Sequence, residues 1–532
     1  MRERFAKTGL LTRFILKRDR FRLSLWVIGI WFFTIIVPVS FDSLYPSQSE
    51  RDMMADTMNN PAMIAMVGPA DLSNYTIGVM TSHQMLLITA VVVGLMSILL
   101  VTRYTRTDEE DGKLELIQSL PVGRLSTLNA TIIVLVVTNV ILAVITAIGL
   151  SVLGIESVDV SGSILYGATL GATGILFAMI TAFFAQITES SRGTIGLSIT
   201  VLLGAYLLRA IGDVSVEALS WISPLGWVPM TEIYANNDWW PIFLILGLAI
   251  IFFIAAYYFN SIRDLGSGML PARKGKIHAS RSLQSPIGLA FRLQRTGTIA
   301  WAVGMIVLGA TYGSVFGDLE SFFEGNEIFI EMLSIDGGTT YTEQFIAILM
   351  VIVALFATIP PIMNVIKLYN EEKKGRIGHL LSRSVSRYQL LMSFLIISII
   401  NAFLMVSLTA IGLWAAGDAV VEGGLDFWNI YGAALAYYPA MLFFIGLAVL
   451  FVGFKPRFSS IVWIYLFFSF IVLYFGELFQ FPEWIGKLSP FGHIPGMPID
   501  EFELLPIIWL TVGAMLLMII GALGYRRRDI QE

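Results

Sequence analysis

The chain has 532 residues, of which 56% are hydrophobic and only 14% charged, with a formal net charge of -5. Soluble domains carry about 25% charged residues, so this deficit, together with many apolar runs of roughly 20 residues, excludes a soluble globular protein and indicates an all-α polytopic membrane protein. The absence of cysteine excludes disulfides, thiolate metal sites and a cysteine nucleophile.

Residues Met1 to Arg22 mix Phe5, Leu10, Leu11, Phe14 and Ile15 with Arg4, Lys7, Arg13, Lys17, Arg18 and Arg20. That pattern predicts a basic amphipathic helix on the inner membrane face. The uncharged run Leu23 to Phe41 follows as a first span, read as a retained signal anchor because no small-residue cleavage site follows it. Asp42 to Val79 is an expected outside loop, and its Met53, Met54, Met58, Met63 and Met66 read as the apolar face of a helix rather than a substrate lip. Further spans are predicted at Met85 to Thr102, Leu128 to Leu153, Ile164 to Ile187, Ile195 to Ile211 and Ile242 to Phe259. In the fourth, Gly167-x-x-x-Gly171 is a candidate close-packing face.

The basic linker from Arg263 to Arg295 separates two halves, so the domains read as 1–260, a linker with a second amphipathic helix over 261–298, and 299–532. Spans seven to twelve are expected at Ile299 to Phe316, Phe345 to Ile366, Leu390 to Ala416, Ile430 to Phe454, Ile461 to Phe475 and Leu505 to Tyr525. Pro360-Pro361 and Pro439 predict kinks in the eighth and tenth. Cations concentrate on one side and acids on the other, as in the loop with Glu320, Glu324, Glu327, Glu331 and Asp336, which places both termini in the cytoplasm. Arg51, Arg209 and Lys487 are exceptions.

The halves repeat each other. Trp26-x-x-Gly29 matches Trp301-x-x-Gly304, and Ser223-Pro-Leu-Gly226-Trp-Val-Pro229 matches Ser489-Pro-Phe-Gly492-His-Ile-Pro495. Six spans per half, an even number, make the repeat parallel. A charged island at Arg103 to Arg124, between the second and third spans, recurs without gaps 263 positions later. Glu109 falls on Glu372, Gly112 on Gly375, Lys113 on Arg376, Ser119 on Ser382 and Arg124 on Arg387. Each copy reads as a short amphipathic helix after its glycine, which Pro121 stops in the first copy.

Glu109-Glu-x-Gly-x-x-Glu115-x-x-x-Ser-x-Pro121-Val-x-Arg124, placed after the second span of a six-span unit, resembles the coupling segment of ABC-2 (type V) exporter permeases. The fused twelve-span form, with its Ser-Pro-x-Gly-x-x-Pro segments, resembles the permeases that export polyketide antibiotics. The resemblance implies a bacterial cell-membrane permease that moves a hydrophobic or amphipathic compound outward. It further implies docking of the islands on two copies of a separate nucleotide-binding ATPase, through Glu109, Glu110, Gly112, Glu115, Pro121 and Arg124, and through Glu372, Gly375 and Arg387. The second copy departs from the pattern, with Gly378 at the Glu115 position and Ser384 at the Pro121 position.

ATP and Mg belong on that partner, since no Gly-x-x-x-x-Gly-Lys-Ser/Thr loop occurs here. No catalytic residue, cofactor, metal site or nucleic-acid partner is expected. His83, His278, His379 and His493 lack metal-ligand spacing and read as surface or interface histidines. Asn139, Asn364 and Asn401, inside spans, read as helix-helix hydrogen-bonding residues. Two other readings remain: an ion-coupled secondary transporter, against which the scarcity of ionisable residues in the spans counts, and a non-transporting scaffold or sensor.

Overall fold

The computed structural model describes residues 2–59, 61–264, 266–270, 278–318, 341–382, 385–421, 424–474, 482–500 and 502–529. The acidic stretch 319–340, Glu477, Ser384 and the linker cations Arg273, Lys274 and Lys276 lie outside the described residues. The described secondary structure is all helix and turn. Twelve helices among the described residues are long and apolar enough to cross a membrane: Thr8–Leu44, Ile77–Glu110, Ser126–Ser151, Val160–Ile187, Ser191–Val214, Trp240–Ile262, Pro286–Ser314, Glu343–Lys373, Arg387–Asp418, Phe427–Phe454, Pro456–Tyr474 and Leu504–Arg527. We number them as spans one to twelve. They fall into two compact units, Met1–Gly275 and Lys276–Glu532, each with its own apolar core.

Helices dominate because a backbone in hydrocarbon must satisfy its own hydrogen bonds. Polar caps and buried polar residues set the span ends, which therefore start earlier than the apolar runs suggest. The second span begins at Ile77, capped by the Thr76 hydroxyl, and not at Met85. The seventh begins at Pro286, where the Ser285 side chain accepts from Gly288. Arg292 and Arg295 thus continue the span and are not part of a separate linker. The N-terminal basic segment is not a separate surface helix either. It runs into the first span as one helix, Thr8–Leu44, bent at Asp19 (φ -109°, ψ 18°). Asp19 is buried and pairs with Arg18 (2.8 Å), Arg22 (3.3 Å) and Arg103 (3.3 Å), which lets a charged bend sit against the island. The tenth span divides at Tyr437 into Phe427–Ala436 and Tyr438–Phe454, as Pro439 predicts. The Pro360-Pro361 pair lies inside the continuous helix Tyr341–Lys373.

Small residues set the close helix contacts. A Cβ on Gly167 would collide with the Ala143 carbonyl, and one on Gly171 would press on Ala143 and Asn139 of the third span. The second unit has a counterpart that the sequence reading passed over: Gly309 and Gly313 of the seventh span meet the backbone at Thr409 and Leu413 of the ninth. Gly29 and Gly304, by contrast, have nothing near them, so packing gives no reason for that matched pair.

At the end opposite the islands, the paired Ser-Pro segments have one construction. Gly226 sits against the Ser220 carbonyl and Gly492 against the Gly486 carbonyl, each too close for a side chain. Arg209 is fully buried there. Its guanidinium donates to the carbonyls of Ala65 (2.7 Å), Met66 (3.1 Å) and Ile64 (3.3 Å) and pairs with Asp213 (3.0 Å). Those carbonyls lie in the last turn of the short helix Pro61–Val67, where carbonyls run out of intrahelical donors; the Ile64 carbonyl also takes the Gly68 amide (2.9 Å) and the Met66 carbonyl the Tyr206 hydroxyl (2.7 Å). His83 is not on the surface: it is buried between Tyr75 Oη (2.9 Å) and the Gly68 carbonyl (2.9 Å). Met58 packs with Ala55, Val67, Tyr75, Val79 and Met80, a structural role. Asn139 bonds Ser97 across helices (3.3 Å) and Asn401 bonds Thr298 (3.1 Å), while Asn364 Nδ2 is buried without a partner.

Candidate functional site

The first island begins within the last turns of the second span, which widens there into a π-helical turn at Arg103–Thr107, a kind common at functional sites. This turn directs Arg106 inward, where it is 1% exposed. It donates to the carbonyls of Ala185 and Ser267 and pairs with Glu109 (3.2 Å). Glu109 also takes Arg263 in a two-pronged pair, Nη1 to Oε1 at 3.2 Å and Nη2 to Oε2 at 3.1 Å, and accepts from the Gly266 amide (2.8 Å). Arg263 caps the end of the sixth span. Arg124, at the far end of the island, donates to the Arg263 carbonyl. A buried charge needs a partner and hydrogen bonds, and here each charge has both.

Two further ties hold this island. Glu110 accepts from the amide (2.8 Å) and hydroxyl (2.7 Å) of Ser191, at the start of the fifth span, where the helix dipole favours a carboxylate. Asp108 pairs with Arg18 (2.9 Å) and Lys113 (3.3 Å). The Lys113 ammonium, hydrogen-bonded to Asp111, is held above its usual pKa.

The second unit repeats the arrangement. Glu372 pairs with Arg528 (2.6 Å), which caps the twelfth span. Arg387 donates to the Arg528 carbonyl (2.6 Å). Gly112 and Gly375 both adopt left-handed backbone, φ 71° and 67°, with their amides donating to the Glu109 and Glu372 carbonyls. Ser119 and Ser382 each turn their hydroxyl back to the residue three before. The expected island helices are shorter than two turns, Lys113–Gln118 and Gly378–Leu381.

Hence Glu109, Glu372 and Arg387 direct their polar atoms into the chain, while Glu110 and Arg124 stay exposed but are tied to Ser191 and to the Arg263 carbonyl. Glu115 and Pro121 face outward, together with Leu116 (72% exposed) and Leu120 (60% exposed). The second island instead exposes Lys373, Lys374, Arg376 and His379.

A family model described as "Multidrug efflux system permease Rv1217c, C-terminal domain" matches residues 12–259 and 283–526, one segment in each unit. The chain is also 34% identical to the multidrug efflux system permease protein Rv1217c of Mycobacterium tuberculosis, over 99% of this chain and 96% of that protein. The chain belongs to the Rv1217c multidrug efflux permease family.

For this member of the Rv1217c family, sequence reasoning found the duplicated island but not what holds it. Arg263 read only as the first cation of a linker. Asp19 and Arg106 were passed over. The available signal was that a cation closes the last span of both halves. Among the described residues, no group of three or more His, Cys, Asp or Glu is placed to hold a metal.

Proposed function

We propose that this chain is the membrane permease subunit of an ABC-2 (type V) exporter, driven by two copies of a separate ATP-binding subunit. The islands face the cytoplasm, and the cargo is hydrophobic or amphipathic. The observation that carries this reading is the way each island is built. It is anchored from behind to the end of its unit's last span, through Glu109–Arg263 and Glu372–Arg528, while the first island leaves Glu115, Leu116 and Leu120 bare. An anchored knob with exposed leucines suits a docking role, and the anchor would pass a push on the knob into the sixth or twelfth span. Glu109, Glu110, Arg124, Glu372 and Arg387 then position the knob, and Glu115, Leu116, Leu120 and Pro121 touch the partner.

The exposed faces differ, acidic and apolar on one island and basic on the other, so the two ATPase copies engage the halves unequally. The name of that relative, a multidrug efflux system permease, supports export of drug-like compounds. In cells expressing the permease with its ATPase, efflux of an amphipathic dye should stop on ATP depletion and persist with an ionophore. The opposite pattern would select an ion-coupled carrier.

A further inference from the structure

The internal repeat makes one half a control for the other. In the first half, the carboxylate of Glu110 occupies the joint between the fourth and fifth spans, bound to Ser191. The repeat places Lys373 at the Glu110 position, which reverses the charge. The equivalent joint of the second half, between the tenth and eleventh spans, carries Lys455 and Arg457. No carboxylate of the described residues pairs with Lys373, Lys455 or Arg457. Together with Phe454 and Phe458, these three cations line an open cavity of about 870 Å³. Glu372 and Arg528 also border it but neutralise each other at 2.6 Å. Asp529 at the rim leaves the unpaired charge at two positive.

We propose that this cavity binds the phosphate of an anionic phospholipid headgroup, which supplies in the second half the negative charge that Glu110 supplies in the first. A lipid is favoured over a soluble anion by position and by shape. The cavity lies where the tenth span ends at Phe454, the depth at which Lys and Arg side chains reach headgroups. Phe454 and Phe458 are 54% and 51% exposed beside the cations and offer the acyl chains an apolar wall. Basic pockets between spans are a known form of headgroup recognition.

The test uses the purified full chain in nanodiscs of phosphatidylglycerol or phosphatidylcholine with identical acyl chains, followed by native mass spectrometry of retained lipid. Phosphatidylglycerol should be retained over phosphatidylcholine. Each basic residue near an anionic surface contributes roughly a five-fold effect, so Lys373→Gln combined with Lys455→Gln and Arg457→Gln should weaken retention about a hundred-fold. Lys373→Arg with Lys455→Arg, which keeps charge and fold, should retain it. Unchanged retention in the charge-removing variant, or equal retention of phosphatidylcholine, would overturn the proposal. So would loss of the lipid to millimolar inorganic phosphate, which would mark a soluble-anion site. Failure here leaves the ATPase reading intact, because that reading rests on the exposed face around Leu116.

Discussion

Glu109 and Arg263 stand 154 positions apart and hold each other through both oxygens of the carboxylate. The link joins the island between spans two and three to the end of span six, and in the second unit Glu372 joins Arg528 at the end of span twelve through one carboxylate oxygen. Buried ion pairs add little net stability against an apolar replacement, but breaking one by removing a single partner costs about 3–5 kcal/mol. Their use here is positional.

The cost of breaking each pair follows from what remains. Glu109→Ala leaves Arg106 and Arg263 both buried and uncompensated, whereas Arg263→Ala leaves Glu109 still paired with Arg106. Glu372→Ala strands only Arg528, whose side chain is 16% exposed against 6% for Arg263. Thermal unfolding of purified variants should therefore rank Glu109→Ala as most damaging, near the upper end of about 3–5 kcal/mol, with Arg263→Ala and Glu372→Ala milder. A reversed order would mean that Glu109 is not the hub of the first clamp.

Gly112 and Gly375 need left-handed backbone and nothing else, since a Cβ at either meets no atom within 4 Å. Alanine at either site should cost about 1–2 kcal/mol by the same conformational route, and asparagine less. Equal effects of alanine and asparagine in hydrogen-exchange measurements on the island would point to a packing role instead.

Arg209 tests the opposite end of the first unit. Arg209→Ala removes the donor to three helix-terminal carbonyls and strands Asp213. It should destabilise by about 3–5 kcal/mol and speed amide exchange over 61–67. Arg209→Lys should not restore protection, because an ammonium cannot reproduce the planar fork. Full rescue by lysine would show that charge alone suffices.

The twelve spans were legible because apolar runs of membrane length leave few alternatives, and the island because both copies kept Glu, Gly, Ser and Arg at fixed spacing. What a side chain touches was not legible. Glu109 and Arg124 read as partner-facing, yet Glu109 turns inward to Arg263 and Arg124 is tied to the Arg263 carbonyl, since similarity between two copies reports shared constraint and not its direction. Span starts were misplaced where polar residues were satisfied locally, as with Thr76 and His83 ahead of Met85. The bend at Asp19 was hidden because a lone acid among cations looks like part of a solvated face.

On the proposed function, a separate ATPase docks on the exposed face of the first island. The most direct measurement is co-purification of nucleotide-hydrolysing activity with the full chain, compared with a variant carrying Leu116→Asp and Leu120→Asp. Both leucines are exposed, so the fold and melting temperature should be unchanged while the associated ATPase is lost. Retention of the ATPase by a properly folded double variant, or the absence of any ATPase from the unaltered chain, would contradict the account.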